Sequence, residues 1–411
     1  MKKIFVTDGR SLAALAIIRS FGEKGFEVHC GEDFKHNLSS YSRYIKKRIV
    51  YPSSATQPSQ FIEYLLDLTK KEKYEIIIPV RDETTILLAK HKNAFLKLTR
   101  LYLADYNTIL KFRDKGKTVK LAQQYGIPTP KTYFPESQGI EEIKESVSYP
   151  ILIRARISSG SRGIIYVNST EEFDEAYNSI KKEYGEPLIQ EYIYKTGYST
   201  ACILLDDTQK EIASFSYRRI KEYPITGGPT VVGISSEDSE VISYSLKLLK
   251  RMNWKGAAEI EYILDRNGNP LLLEVNPRFW MPLNLSIKAG VDFPYLMYQL
   301  AIGEKIGKVT SYKTGLKYRW VLPNEILWLT QTSDKIKGIK EFFDFGDKNT
   351  CYGDLSISDP LPVFGIMMQS FDFLFDREKR KMIFERGLKK SRIVENKSKK
   401  KAFYIDKFPR K

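Results

Sequence analysis

Cysteine and histidine are scarce in this sequence, which has three of each among 411 residues. The cysteines lie far apart, match no metal-site spacing, and their odd, sparse count is typical of a reducing compartment. No histidine is paired with a cysteine or a second histidine at ligand spacing. No convincing serine–histidine or cysteine–histidine set stands out either. These absences argue against a zinc site and against a catalytic triad.

Long apolar runs are absent as well. No stretch reaches the roughly 18 apolar residues that a membrane-spanning helix needs. The short apolar stretch after Met1 is interrupted at Asp8, before the hydrophobic region of a signal peptide could form. Because 42% of the residues are hydrophobic and 28% are charged, the composition is that of a globular protein. We therefore expect a cytoplasmic protein.

The formal charge of +16 is unevenly distributed. Residues 377–411 hold 15 Lys or Arg against four Asp or Glu, a net charge of +11. Because the rest of the chain is closer to neutral, charge alone does not predict nucleic-acid binding. The basic tail is expected to be either a solvated end or a contact with an anionic membrane surface, a glycan lipid or nucleic acid. The second interpretation would place the protein at the membrane periphery.

The first 112 residues alternate short strands and helices. Strands are predicted at residues 3–6 and 26–30 and at 74–80, with helices at 11–23 and 58–71 between them. This order predicts a Rossmann-like half. Only Gly9 occupies the first turn, without the G-x-G-x-x-G spacing, so dinucleotide binding is poorly supported.

A glycine- and serine-rich loop at residues 158–163 lies between two predicted strands, 149–156 and 164–167. A Walker loop leads from a strand into a helix, whereas this loop leads from strand to strand. The pattern therefore predicts a hairpin flap, whose backbone N–H groups could cover phosphates.

The most informative stretch is residues 256–278. Asn267-Gly268 between two apolar runs predicts a hairpin, with Leu264 opposite Leu271. Two-residue alternation then puts four polar side chains on one face, and they pair as Glu261 with Glu274 and Glu259 with Asn276. Facing carboxylates repel unless a cation compensates them, and oxygen ligands suit Mg²⁺. A solvent-exposed acidic face fits less well, because both strands are otherwise apolar.

Glu261 and the run at residues 274–278 resemble the metal-binding end of the ATP-grasp superfamily, nearest to its carbamoyl-phosphate synthetase and biotin carboxylase branch. Residues 286–294 are similar to that branch too, and the resemblance covers roughly residues 1–305. It implies an α/β and α+β fold with a Rossmann-like N-terminal domain, a two-part ATP-grasp domain and a basic C-terminal extension. The expected boundaries are 1–112, 113–195 with the flap, 196–309 with the metal site, and 310–411.

The resemblance also implies cofactors and site residues. ATP is expected with Mg²⁺, as two ions, with Mn²⁺ as a substitute; the implied metal ligands are Glu261, Glu274 and Asn276. The implied nucleotide-binding residues come from a helix start, a strand, the flap and a strand end: Lys115, Arg154, Ser159, Gly160, Ser161, Gly163, Gln190, Glu191, Tyr192 and Ile193. Arginine at position 154 is characteristic of the carbamoyl-phosphate synthetase branch. The acidic residue that the superfamily usually carries near the ribose is replaced here by Tyr198-Ser199.

Three cations are implied in catalysis by the same resemblance. Arg278 would contact the transferring phosphoryl group and stabilise charge on an acyl phosphate. Arg219 and Lys221 lie where relatives bind the acceptor carboxylate or an intermediate. For either of them, a structural role is an open alternative.

The activity that the resemblance implies is an ATP-dependent carboxylate–amine ligase that works through an acyl phosphate. Its substrates would be small molecules, such as an amino acid and a uronic-acid-type carboxylate of a cell-surface glycan precursor. One alternative is a carboxyphosphate- or carbamoyl-forming enzyme, although the chain has one ATP-grasp unit and no glutaminase-like or biotin-carrier segment. A second alternative is an anionic-surface or nucleic-acid-binding protein with a vestigial ATP site. A homodimer is expected by analogy alone.

Overall fold

The computed structural model describes residues 2–158, 160, 162–225 and 227–375. Ser159, Ser161 and the basic tail at 377–411, which carry predictions made above, lie outside these residues. Among the described residues, no helix combines the length and the apolar character needed to cross a membrane.

The N-terminal part is a four-stranded parallel sheet flanked by helices. Its strands are β1 (Lys3–Val6), β2 (Glu27–Glu32), β3 (Ile45–Val50) and β4 (Ile76–Ile78), in the order β3-β2-β1-β4. Its helices are α1 (Leu12–Glu23), α2 (Pro58–Glu72), α3 (Asp82–Lys90) and α4 (Lys92–Leu96), with a 3₁₀ turn at Leu38–Tyr41. Ser11 caps α1 by accepting from the backbone N–H of Ala13, as its side chain and position predict. The predicted Rossmann-like half is thus present.

Asp8 occupies the turn after β1, with φ of +62°. Its carboxylate accepts hydrogen bonds from the backbone N–H of Arg81 at 2.9 Å and from the hydroxyl of Thr84 at 2.6 Å. A dinucleotide-binding turn would present bare glycine backbone to a pyrophosphate at this edge of the sheet. In this chain the buried carboxylate of Asp8 occupies the turn instead, which agrees with the missing glycine fingerprint.

A second sheet, also of four strands, is antiparallel. Two helices, α5 (Tyr106–Arg113) and α6 (Lys115–Gln124), lead into it. Its elements are β5 (Thr132–Tyr133), α7 (Pro135–Gln138), α8 (Ile140–Ser146), β6 (Ile151–Arg154), β7 (Ile164–Val167), a 3₁₀ turn (Thr170–Glu172), α9 (Phe173–Tyr184) and β8 (Leu188–Glu191), with strand order β5-β8-β6-β7. Because Arg154 pairs with Ile164 across β6 and β7, the intervening loop closes a hairpin, as predicted.

The third sheet has seven strands in the order β13-β12-β9-β10-β11-β14-β15. Its elements are β9 (Gly197–Leu205), β10 (Glu211–Glu222), β11 (Thr230–Ser236), α10 (Ser239–Arg251), β12 (Gly256–Leu264), β13 (Pro270–Asn276), α11 (Leu283–Lys288), α12 (Phe293–Ala301), β14 (Lys317–Arg319), a π-type turn (Val321–Glu325), α13 (Ile326–Gln331), α14 (Lys335–Phe342), β15 (Thr350–Tyr352) and α15 (Pro362–Phe375). Strands β14 and β15 therefore add the region after residue 310 to this sheet.

The register of the β12–β13 hairpin differs from the prediction at its turn end. Leu264 pairs with Pro270 rather than with Leu271. A bulge then shifts the register between Glu261 and Tyr262, so that Glu261 still lies opposite Glu274. The bulge inserts one extra residue in β13, and alternation alone does not reveal it.

One apolar core joins the N-terminal sheet to the seven-stranded sheet. Helix α1 contributes Phe21, whose ring packs edge-on against that of Tyr298 in α12 at 5.8 Å. Trp280, which follows β13, is fully buried and packs against Phe293 at 4.8 Å. The shared core fixes the N-terminal sheet relative to the acidic hairpin.

Candidate active site

The acidic hairpin places two carboxylates directly opposite each other. Glu261 on β12 and Glu274 on β13 are paired residues of the ladder, and Glu259 is paired with Asn276. The amide nitrogen of Asn276 donates to Glu259 at 3.0 Å and to Glu261 at 3.1 Å. The alternation therefore gathers three carboxylates and an amide on one face, as the sequence predicts.

Two cations from other elements meet Glu274. Lys115 at the start of α6 lies 3.3 Å from its carboxylate, and Arg154 at the end of β6 lies 3.5 Å from it. Burial alone would raise the pKa of Glu274, but the charges of Lys115 and Arg154 lower it to about 2. Conversely, burial lowers the pKa of Lys115, although Glu274 opposes the shift. Both predicted cations are thus held at the hairpin and paired with a predicted metal ligand.

Arg278 lies just beyond β13 and connects the hairpin to the N-terminal sheet. It donates to the side-chain oxygen of Asn276 at 3.2 Å and to Asp82 at 3.2 Å. Asp82 is the first residue of α3 and also lies 3.6 Å from Arg113. Although burial opposes it, the charges of Arg278 and Arg113 lower the pKa of Asp82.

Sequence reasoning missed Asp82 and Arg113. Asp82 follows the parallel strand β4, and residues at the carboxyl ends of parallel strands often line sites. That rule could have marked it as a candidate. Arg113 directly precedes the helix cap Asp114, and nothing local distinguishes it from a surface cation. Only the fold brings it to Asp82.

Glu259 lies on the same face, and its pKa is raised whereas that of Glu274 is lowered. The sequence placed it beside the metal ligands without giving it a role. Burial and then the nearby charge of Glu261 raise its pKa to about 7. The hydroxyl of Tyr217 on β10 donates to it at 2.8 Å. Tyr217 is fully buried, and its distance from Glu259 in the chain hides the pairing from sequence analysis.

The start of the flap contacts two cations near the acidic hairpin. The carbonyl oxygen of Ser158 accepts from Lys115 at 2.9 Å and from Arg113 at 3.1 Å. Gly160 and Gly163 both have a φ of +61°, which favours glycine. At Gly163, a Cβ would lie 2.7 Å from the Cβ of Ala155, so the close approach also excludes a side chain.

The end of β8 carries the predicted adenine-side residues. Gln190 is buried and accepts a hydrogen bond from Arg154 at 3.2 Å. The carboxylate of Glu191 accepts from the backbone N–H of Lys131 at 2.6 Å. Tyr192 and Ile193 follow the strand and are half-buried. Gln190 therefore contacts Arg154, while Glu191 contacts the backbone at Lys131.

Arg219 and Lys221 have different surroundings. Arg219 on β10 donates to Glu261 at 2.7 Å and lies 3.2 Å from Glu222. Lys221 lies 3.3 Å from Glu325 and 2.9 Å from Glu341. The structure thus brings Arg219 to the acidic hairpin and pairs Lys221 with the C-terminal elements.

The donor set fits a hard cation. In the part of the chain that the structure describes, no group of three or more His, Cys, Asp or Glu side chains could hold a metal ion. The candidate ligands are instead two opposed carboxylates, Glu261 and Glu274, together with the side-chain amide of Asn276. All can offer oxygen, which Mg²⁺ prefers, and Mg²⁺ commonly takes only one or two carboxylates beside substrate phosphates.

Known proteins resemble the chain in sequence and in fold. Residues 114–309 match the family described as carbamoyl-phosphate synthase L chain, ATP binding domain. The 2-oxoglutarate carboxylase small subunit of Hydrogenobacter thermophilus is 26% identical over 212 residues, which are 47% of this chain and 44% of that protein. The chain therefore spans less than half the length of this curated relative.

Two solved structures share the fold. Biotin carboxylase from Campylobacter jejuni has a TM-score of 0.65 at 17% identity, covering 77% of this chain and 74% of that one. The biotin carboxylase domain of the Hydrogenobacter thermophilus 2-oxoglutarate carboxylase, solved with MgADP and bicarbonate, has a TM-score of 0.60 at 20% identity, with 77% and 73% covered. The predicted fold class is confirmed. Residues 114–309 are thus similar in sequence to the ATP-binding domain of the carbamoyl-phosphate synthase L chain, and the chain shares its fold with biotin carboxylase structures.

Proposed function

We propose that the chain is an ATP-dependent ligase that activates a small-molecule carboxylate as an acyl phosphate and transfers the acyl group to an amine. The observation that carries this proposal is the opposed pair Glu261 and Glu274 with Lys115, Arg154 and Arg278 around it. Phosphoryl transfer depends mainly on positioning and charge neutralisation. A compact set of acidic and basic side chains suits that chemistry.

Mg²⁺ would be held by Glu261, Glu274 and Asn276, and when bound it would neutralise phosphate charge and orient the phosphates. The ATP-binding character of residues 114–309 and the MgADP in the related domain support ATP with Mg²⁺ as cofactors. A second ion, and Mn²⁺ as a substitute, are part of the same proposal.

Lys115 and Arg154 would bind the nucleotide phosphates. Both are paired with Glu274, whose single negative charge offsets one of their two positive charges until phosphate oxygens arrive. The flap residues Gly160 and Gly163, with Ser159 and Ser161 outside the described residues, would cover the phosphates with backbone N–H groups. Residues 190–193 would line the adenine side.

Arg278 would stabilise the negative charge that develops on the acyl phosphate. Asp82 and Asn276 hold its guanidinium in place. Arg219 would contact the acceptor carboxylate, since it lies at the same hairpin. Lys221 is proposed to act at a distance, by fixing the strand that carries Arg219.

No side-chain nucleophile is required, because the amine attacks the acyl phosphate directly. The three cysteines are buried and unpaired, and burial raises the pKa of each thiol. A thiol that stays protonated is a poor nucleophile.

A second candidate is activation of bicarbonate to carboxyphosphate. It is favoured by one observation, the bicarbonate bound beside MgADP in the related biotin carboxylase domain. Nucleic-acid binding with a vestigial ATP site is disfavoured, because the acidic hairpin and its cations are intact. The proposal also includes a cytoplasmic location, a homodimer, a glycan-type carboxylate substrate and contact of residues 377–411 with an anionic membrane.

The test is ADP release from purified protein with Mg-ATP, across pooled carboxylates crossed with pooled amines. Glu274→Gln is the site variant and Glu75→Gln, on a partly exposed surface pair, is the matched control. Turnover that needs both pools, survives Glu75→Gln and is lost in Glu274→Gln supports the ligase. Turnover with bicarbonate alone would support the second candidate, and turnover unaffected by Glu274→Gln would contradict both.

A further inference from the structure

A cavity of about 160 Å³ lies at the edge of the N-terminal sheet, and we call it the β2–β3 cavity. The side chains that line it come from β2, from the edge strand β3 and from the loop that joins these two strands. None of them belongs to the acidic hairpin or to the cations around it. The cavity is therefore separate from the proposed ATP site.

Four apolar side chains line the β2–β3 cavity: Cys30, Ile45, Ile49 and Val50. Val50 is 51% exposed, so the cavity opens at the protein surface. An engineered cavity of about 150 Å³ in another protein holds benzene. The volume and the apolar lining of this cavity therefore suit a small organic molecule of about six heavy atoms.

Two cations, Lys35 and Arg48, line the same cavity. Among the residues that the structure describes, neither forms an ion pair with a carboxylate. The guanidinium of Arg48 instead lies 5.3 Å from the ring centre of Tyr41. Glu32 on β2 does not line the cavity, and its carboxylate is paired with Arg10 at 2.7 Å. The cavity thus presents two positive charges, which a bound anion would offset.

A buried amide in the lining has an oxygen without a hydrogen-bond partner. Asn37 is 6% exposed, and its side-chain nitrogen donates to the carbonyl oxygen of Phe34 at 3.3 Å. Because a carbonyl oxygen only accepts, this contact fixes the orientation of the amide. Within the described part of the chain, the Oδ1 atom of Asn37 accepts no hydrogen bond. A buried acceptor without a donor is unfavourable, and a hydroxyl or amino group on an occupant would satisfy it.

The loop that carries Lys35 and Asn37 is held in place from both sides. The hydroxyl of Ser40 donates to the carbonyl oxygen of Lys35 at 2.9 Å and accepts from the backbone N–H of Asn37 at 3.1 Å. Helix α15 packs against the same loop, since a Cβ at Gly365 would lie 2.6 Å from the carbonyl oxygens of residues 37 and 38. The cavity is therefore preformed, and binding requires little ordering of the chain.

We propose that the β2–β3 cavity binds a small organic carboxylate that has a short apolar body and a hydroxyl or amino group. The carboxylate contacts Lys35 and Arg48, and the body lies against Ile45 and Ile49. The hydroxyl or amino group donates to the Oδ1 atom of Asn37. Inorganic phosphate suits the cavity less well, because it would use the cations and leave the apolar side chains uncovered.

The test is ligand-observed NMR titration of the purified full chain, without ATP or Mg²⁺, so that its outcome is separate from that of the ligase assay. The probe is 2-hydroxyisobutyrate, which has the carboxylate, the apolar body and the hydroxyl. The neutral 2-hydroxyisobutyramide should bind about tenfold more weakly, because it loses the charge-assisted hydrogen bonds. Isobutyrate should bind about threefold more weakly, because it lacks the hydroxyl. Inorganic phosphate should bind more weakly than 2-hydroxyisobutyrate.

The variant Lys35→Gln/Arg48→Gln should weaken the binding of 2-hydroxyisobutyrate by at least about tenfold. The matched control Lys46→Gln/Lys70→Gln removes the same charge from exposed positions outside the cavity and should bind as the wild type does. The proposal is overturned if the wild type does not bind 2-hydroxyisobutyrate, or if the neutral amide binds equally well. It is also overturned if the cavity variant binds as the wild type does, or if phosphate binds as tightly as the organic acid.

Discussion

A buried charge cluster connects the strand that carries Arg219 to the C-terminal elements. Its contribution to the free energy of unfolding can be estimated from the structure. Glu325 is 1% exposed and lies 2.9 Å from Arg319 and 3.3 Å from Lys221. Changing Glu325→Gln removes the negative charge that two buried cations share, of which Lys221 keeps Glu341 at 2.9 Å. Breaking a buried ion pair from one side costs about 3–5 kcal/mol. We expect a loss of that size in the free energy of unfolding.

The assay is urea unfolding followed by tryptophan fluorescence. Trp328 reports on this region because the ammonium of Lys221 lies 4.1 Å from its ring centre. The control is Glu211→Gln, whose partner Lys308 is half-exposed, and its loss should stay below about 1 kcal/mol. A loss below about 1 kcal/mol for Glu325→Gln would refute the reasoning.

Three further changes probe the flap, the acidic face and the core. Gly163→Ala should destabilise by about 1–2 kcal/mol in thermal unfolding, because it adds a Cβ at positive φ against Ala155; an unchanged melting temperature would contradict this. Since the pKa of Glu259 is raised to about 7 when folded, the metal-free protein should lose about 1–3 kcal/mol of stability as pH rises from 5 to 8. Glu259→Gln should flatten that dependence in urea titrations, and an equally steep profile would count against it. Trp280→Ala should cost about 3–5 kcal/mol in the same titrations, because the ring is fully buried; a cost near zero would mean that the core is not shared.

The fold was predictable where the pattern is periodic and local. Alternating strands and helices identified the N-terminal sheet, and Asn267-Gly268 identified the acidic hairpin. The bulge in β13 was not predictable, because it depends on how the strand bends within a seven-stranded sheet. Strands β14 and β15 have only three residues each, too few for a periodic pattern. Strand β14 joins the sheet by pairing with β11, and β15 joins it by pairing with β14.

The site was predictable along one face of one hairpin. Glu261, Glu274 and Asn276 follow from alternation in two strands that are joined by a short turn. Asp82 and Arg278 are 196 residues apart, and Lys221 and Glu325 are 104 apart, so no spacing rule links them. A bulge in β10 lies between Arg219 and Lys221. This bulge decides which of the two side chains contacts the hairpin.

The most direct test of the proposed nucleotide–metal site is calorimetric titration of ATP with and without Mg²⁺ into the wild type, Glu274→Gln and the control Glu75→Gln. In the wild type, Glu274 offsets one of the two positive charges of Lys115 and Arg154, so ATP should bind more tightly with Mg²⁺ than without it. In Glu274→Gln those cations are left free for phosphate and a metal ligand is lost, so the affinities with and without Mg²⁺ should become similar. The control should keep the full Mg²⁺ dependence. No binding of Mg-ATP by the wild type, or an unchanged Mg²⁺ dependence in Glu274→Gln, would contradict the account.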